Sequence, residues 1–219
     1  NLFISTILGT LLGTASAILR KSKKDIRIVG VMSFLGSMPS FWIGMVLISF
    51  FGVKLGWFPI YGAYSMIKRY TGVARMVDIL KHLVLPVTTM TIVSLMSFFT
   101  TSRVSVLETI HQDYVTLARM RGISKKRIRY FYIMRNALIP VFTIFMLEVG
   151  YVLSGSVVIE SLFSYPGIGQ LLYNAVLSRD YPLMQYGFLV TSVTVILASW
   201  LTDLLYCKID PRMVSVLEK

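Results

Sequence analysis

The sequence predicts an all-α, polytopic helical membrane protein, and three observations carry that prediction. Its 219 residues are 55% hydrophobic with a mean hydropathy of +0.71, too apolar for a soluble domain of that length. Five stretches are long enough to cross a bilayer core: roughly Leu2–Leu19, Ile28–Val53, Leu83–Thr101, Ala137–Ile159 and Leu183–Cys207. These runs are continuous rather than alternating, which excludes a closed β-barrel.

The first span carries Gly9 and Gly13 in GTLLG, followed by Thr14, Ala15 and Ser16, a face on which another helix can approach closely. Packing inside the subunit accounts for it more simply than a dimer interface. The chain opens on Asn1 and enters this span at once, which suggests a trimmed chain lacking an N-terminal span. Its basic run follows the apolar part, so the segment is not a signal peptide. The second span contains Pro39 in SMPSFW, which kinks a helix, either for packing or as part of a gate. Trp57 falls just past it, where an interfacial aromatic belongs. The loop from Lys54 to His82 reads as irregular and external.

Residues 108–136, ETIHQDYVTLARMRGISKKRIRYFYIMRN, form a polar, basic island between two apolar spans. Asp113 suits a helix N-cap, and Tyr114, Leu117 and Ala118 recur along one face. Gly122 stands where that helix would stop, and Ser124 can cap a second helix running through Asn136 into the next span. The pattern is a short helix under the membrane, a tight turn and a helix climbing back, the shape of a docking surface. Residues 160–182 are too polar to span and too apolar for a free loop. Leu162, Phe163, Ile168, Leu171, Leu172 and Val176 give them an apolar side, and Pro166, Gly167 and Gly169 break them. They read as a helix–turn–helix on, or dipping into, the outer face, lining a mouth for cargo or sealing the bundle.

Lys and Arg set the orientation. Five lie in 20–27, eight in 102–136 and three after Cys207, against five in 54–82 and one in 160–182. Sixteen of 22 therefore share one face, the cytoplasmic one, with residue 1 outside and the C-terminus inside. The net charge of +12 follows from this bias and from contact with anionic membrane lipid, so nucleic-acid binding is not implied. His82 and His111 fall on opposite membrane faces, and the lone Cys207 has no Cys or His cluster around it, so a protein-built metal site is not expected. No P-loop, HExxH or GxSxG motif is present, so the chain is not expected to be an enzyme. If ATP powers transport, another chain supplies the ATPase.

The stretch DYVTLARMRGISKKRIRYFYIMRNALIP resembles the EAA motif of binding-protein-dependent ABC importer permeases, in their peptide and nickel branch. The residues that carry it are Asp113, Tyr114, Val115, Ala118, Arg119, Gly122, Ile123, Ser124, Arg135, Asn136, Ala137 and Pro140. SMPSFWIG, KLGWFPIYG, VVIESLFSYPGIGQLL, RDYPLMQ and DLLYCKIDPR agree in order, so the resemblance covers nearly the whole chain.

It implies a single permease domain over 1–219 of the type I ABC importer kind, normally of about six spans. In that fold 108–136 is a cytoplasmic coupling segment and 160–182 an external one. It implies a multi-pass protein of a bacterial or archaeal cytoplasmic (inner) membrane. The partners implied are a second homologous permease, two ATP-binding subunits that carry ATP and Mg, and an extracytoplasmic substrate-binding protein. The helix at Asp113–Arg121 would be the coupling helix, with Asp113, Tyr114, Leu117, Ala118, Arg119, Gly122 and Ser124 at the ATPase contact. Lys125, Lys126, Arg127 and Arg129 oppose the dipole of the helix they start. They serve either lipid headgroups or acidic patches on a partner.

Two residues depart from the family pattern: Tyr132, where a His is frequent, and Glu148, where a neutral polar residue is commoner. An acid at membrane depth faces a cavity or a partner. Glu148 is thus a candidate for the substrate path, with Pro39, or else a buried acid bonded to another helix. The cargo expected is peptide, with nickel or a metal chelate as the alternative. A secondary transporter, which would show an inverted repeat and midplane ion sites, is the competing class.

Overall fold

A computed structural model describes residues 1–66, 70–153 and 155–209, and among them every regular element is a helix. The helices are α1 (Leu2–Ile18), α2 (Lys23–Gly36), α3 (Ser40–Leu47), α4 (Val73–Ile110), α5 (Asp113–Met120), α6 (Lys125–Arg127), α7 (Arg135–Leu153), α8 (Val157–Leu162), α9 (Ile168–Ser178) and α10 (Tyr181–Ile209). Two π-helical stretches extend them, Ile48–Lys54 after α3 and Ile128–Met134 between α6 and α7.

The predicted spans are met with shifted edges. Three helical segments are long and apolar enough to cross a membrane: Val73–Ile110, Lys125–Val152 and Tyr181–Thr202. Helix α1 has 17 residues, ~25 Å of helix against a hydrocarbon core of ~30 Å. The second predicted span, Ile28–Val53, is not one helix. It is α2 and α3 bent by 97°, and Pro39 is the N-cap of α3 rather than a residue inside a helix. A proline cannot continue α2 because it has no N–H to donate, but its carbonyl accepts from Trp42 N at 3.0 Å and Ile43 N at 3.2 Å to start α3. The fourth span begins at Lys125 rather than Ala137 and ends by Leu153 rather than Ile159. Ser156 opens a new helix there, its Oγ accepting from Ile159 N.

Cα packing divides the chain into two compact units. One comprises residues 1, 37–93 and 150–197. Its core sets Leu85 of α4 against Ile159 and Phe163, with Leu47, Phe51 and Phe58 packed around them. Residues 160–182 adopt the predicted helix–turn–helix, but the apolar side differs from the expected one. Phe163, Gly169, Leu172 and Ala175 are buried, whereas Ile168, Leu171 and Val176 are exposed. Glu160 organises this hairpin: its carboxylate accepts from Ser156 N and from Gln170 N, each at 2.9 Å, tying the start of α8 to the start of α9.

The other unit comprises, among the described residues, 2–36, 94–149 and 198–209. Here α1 lies on α4 through Gly9 and Gly13. A Cβ at Gly9 would stand 2.6 Å from Phe98 Cβ, and one at Gly13 would fall on the Phe99 carbonyl oxygen, so only glycine permits this approach. The turn after α1 is pinned to α4 by a polar cluster. Ser16 Oγ donates to Asp25 Oδ1 at 2.6 Å, and the Arg103 guanidinium reaches Ser16 Oγ at 2.8 Å and both Asp25 oxygens at 3.2 Å. A buried carboxylate needs such partners to stay charged.

Candidate functional site

The polar island folds into α5, a turn and the start of the α6–α7 helix, residues that belong to the second unit. The cap of α5 lies one residue before the expected one: Gln112 takes the N-cap backbone (ψ 146°), and Asp113 is the first helical residue. Its carboxylate there still complements the positive end of the helix.

The helix presents two faces. Val115 and Ala118 are buried against Ala17, Val106, Ile128, Ile133 and Ala137, forming the unit's main apolar cluster. Tyr114, Leu117 and Met120 are 37%, 55% and 78% exposed. The expected face of Tyr114, Leu117 and Ala118 is therefore corrected. Ala118 faces inward with Val115, three residues away on the same side of a helix, and the other two look outward. Arg119, Gly122 and Ser124 are exposed as well.

The turn closes α5 by a Schellman arrangement. Ile123 N donates to Ala118 O at 3.2 Å and Gly122 N to Arg119 O at 3.0 Å. Gly122 has φ +72°, and a Cβ there would meet nothing within 4 Å, so the glycine is required by backbone conformation and not by crowding. Ser124 is the N-cap of α6 by backbone (ψ 142°), without a side-chain cap bond. Asn136 Nδ2 donates to Tyr114 Oη at 3.1 Å and to Tyr132 O at 2.9 Å, fastening α5 to the base of α7.

Of the other predicted residues, Glu148 lies on α7, half-buried, and accepts from Ser94 Oγ at 3.2 Å. Pro39 is exposed and belongs to the other unit, so no joint site of these two is described. Sequence reasoning missed Val115 as an anchor, the Asn136–Tyr114 bond and the Ser16–Asp25–Arg103 cluster. The signals available were an apolar residue three before Ala118, a lone acid in the basic run 20–27 and a lone cation closing an apolar stretch.

Chemically, α5 offers an exposed apolar, partly aromatic strip on a short helix anchored by Val115 and Ala118, with exposed Arg119 on the same helix. Residues 9–215 match the family model described as "Binding-protein-dependent transport system inner membrane component". The chain is 38% identical over 226 residues to the di/tripeptide transport system permease protein DppB of Pseudomonas aeruginosa (strain UCBPP-PA14), covering 97% of this chain and 67% of that protein. It is 34% identical over 217 residues to the oligopeptide transport system permease protein AppB of Bacillus subtilis (strain 168), with the same coverage. Its fold is similar to that of a chain in inward-facing structures of the MetNI methionine ABC transporter, at TM-score 0.68 and 14% identity, over 95% of this chain and 91% of that one.

Proposed function

Since this chain belongs to the binding-protein-dependent transport system inner membrane components, as the permease of an ABC importer, we propose that its cargo is peptide and that α5 docks the ATPase. The observation that carries the docking role is the exposed strip Tyr114, Leu117 and Met120 on a helix anchored from behind. In this reading 108–136 is cytoplasmic, with the C-terminus, as the charge bias supports, and 160–182 lies on the outer face. A second homologous permease completes the path, two ATP-binding subunits hydrolyse ATP with Mg, and an extracytoplasmic binding protein delivers cargo. Closure of the ATPases would move α5, and through Asn136 and the apolar cluster the base of α7.

Peptide names on both relatives support the cargo, and nickel or a metal chelate is not favoured. The family match weighs against a self-powered secondary transporter.

Pull-down through a tag on this chain from native membranes tests the docking role. Leu117→Asp should weaken recovery of ATP-binding subunits roughly thirtyfold, the effect of a ~2 kcal/mol hot spot, without lowering the melting temperature. A lone chain that still takes up peptide would sink the reading. Glu148 is the residue we propose as a path contact for cationic groups of the cargo, while its bond from Ser94 on α4 fits the alternative of an acid held by another helix. Glu148→Gln should lower uptake of peptides with a basic side chain more than of neutral ones, and equal uptake of both would remove it from the path.

A further inference from the structure

We infer that the groove where α1 and α4 end and α6 begins is a binding site for one anionic phospholipid. The cavity there measures about 700 Å³, within the range of small-molecule sites, and lies wholly in the second unit. Its floor is apolar: Ala17, Val106, Ile128 and Ile133 are all buried in that unit's main core cluster. Its rim carries the exposed cations Arg20, Arg119, Lys125 and Arg129, and no carboxylate is among the residues that line it. His111 stands at the same rim, with Nε2 3.5 Å from Arg20 Nη1. Four fixed positive charges around one opening repel one another, and a bound anion relieves that repulsion.

The position of the groove selects the source of the anion. Ile18 and Ile110 are the last residues of α1 and α4, and Lys125 is the first of the long apolar segment Lys125–Val152. The opening therefore sits on the basic side of the apolar runs that end at Leu19 and Thr101 and begin at Ala137, with Arg20 following directly on the first, and basic pockets on that side of a membrane hold acidic headgroups. A free phosphate or an acidic peptide would answer the cations but leave the apolar floor wet. A phospholipid supplies phosphate and acyl chain from one molecule. The inference rests on membership of a membrane family and on this geometry; the groove shares Arg119 with the expected ATPase contact, so of the rim cations the test varies only Lys125 and Arg129.

The test uses the protein extracted through a tag on this chain, with whatever subunits accompany it, stripped of lipid and followed by native mass spectrometry. Phosphatidylglycerol, phosphatidylcholine, inorganic phosphate and hexaglutamate are added separately. Phosphatidylglycerol should be retained over phosphatidylcholine. Its affinity should fall roughly fivefold for each cation removed in Lys125→Gln and Arg129→Gln. The paired change Lys23→Gln and Lys24→Gln, on exposed cations that do not line the groove, should leave it unchanged. Equal losses in both sets, or displacement by phosphate or hexaglutamate as strong as by lipid, would overturn the site. Phosphatidylglycerol with a photoreactive acyl chain gives a second readout in intact membranes, independent of purification. Labelling should concentrate on the last turns of α4, and labelling spread evenly over the exposed helices would count against the groove.

Discussion

The hairpin of α5 and α6 is held from one side, by Val115 and Ala118 beneath it and by the bond from Asn136 to Tyr114, while its turn at Gly122 stands in open space. The hairpin of α8 and α9 is held from within. Glu160 gathers backbone N–H groups from both of its helices, and a Cβ at Gly155, Gly167 or Gly169 would meet the Glu160 carboxylate. Both segments are short helix pairs, one basic and one without a Lys or Arg, and their fastenings differ in kind. Each leaves apolar residues uncovered, Tyr114, Leu117 and Met120 in one and Ile168, Leu171 and Val176 in the other, but among the described residues the first has no polar group tying its two helices to each other through a side chain. The other spends its polar groups on itself and is built to keep its shape.

That contrast can be broken at three points. The largest effect should come from Glu160→Ala, which strands two backbone donors at a half-buried site. A loss of about 2–3 kcal/mol is expected, seen as a lower melting temperature, with Glu160→Gln recovering part because an amide oxygen still accepts. An Ala variant as stable as the parent would show that the carboxylate is not the fastening. Gly122→Val should cost about 1–2 kcal/mol, because a β-branched residue resists φ +72°, and a Gly122→Asn variant should be milder. Since nothing packs on Gly122, circular dichroism should report the helices intact. The smallest effect belongs to Tyr114→Phe, which removes one exposed hydrogen bond worth about 0.5–1.5 kcal/mol. It should raise amide exchange in α5 and leave α8–α9 untouched. Faster exchange in both hairpins would mean that they are not fastened separately.

The helical class was legible because apolar runs of this length leave few alternatives. Their limits were less so. Pro39 signalled a kink, but the size of the bend depends on how neighbours pack, and the chain turns through 97° there. The helix from Ser124 through Asn136 into the fourth span was readable from its cap, and the structure has it continuous, although the apolar span itself was counted only from Ala137. In the docking segment, Gly122 was readable because a left-handed turn asks for glycine. The inward face was not readable: eight residues allow several apolar stripes, and Val115 and Leu117 compete equally by hydropathy. The Ser16–Asp25–Arg103 cluster joins residues 78 apart in sequence, a pairing that no local pattern announces.

The seven π-wound residues Ile128–Met134 bear on how this chain tolerates changes of length. A π turn closes on the fifth residue instead of the fourth, so it stores one surplus residue without disturbing the helix on either side. Deleting one residue from that stretch would let it rewind as ordinary α-helix, leaving the far half of α7 in its present register while Ile133 shifts within Val115's cluster. The same deletion three turns later, ahead of Glu148, has no such reserve to draw on. It would swing Glu148 by about 100° around the helix axis and away from Ser94. The helix thus has one place where its length can drift and a longer reach where it cannot.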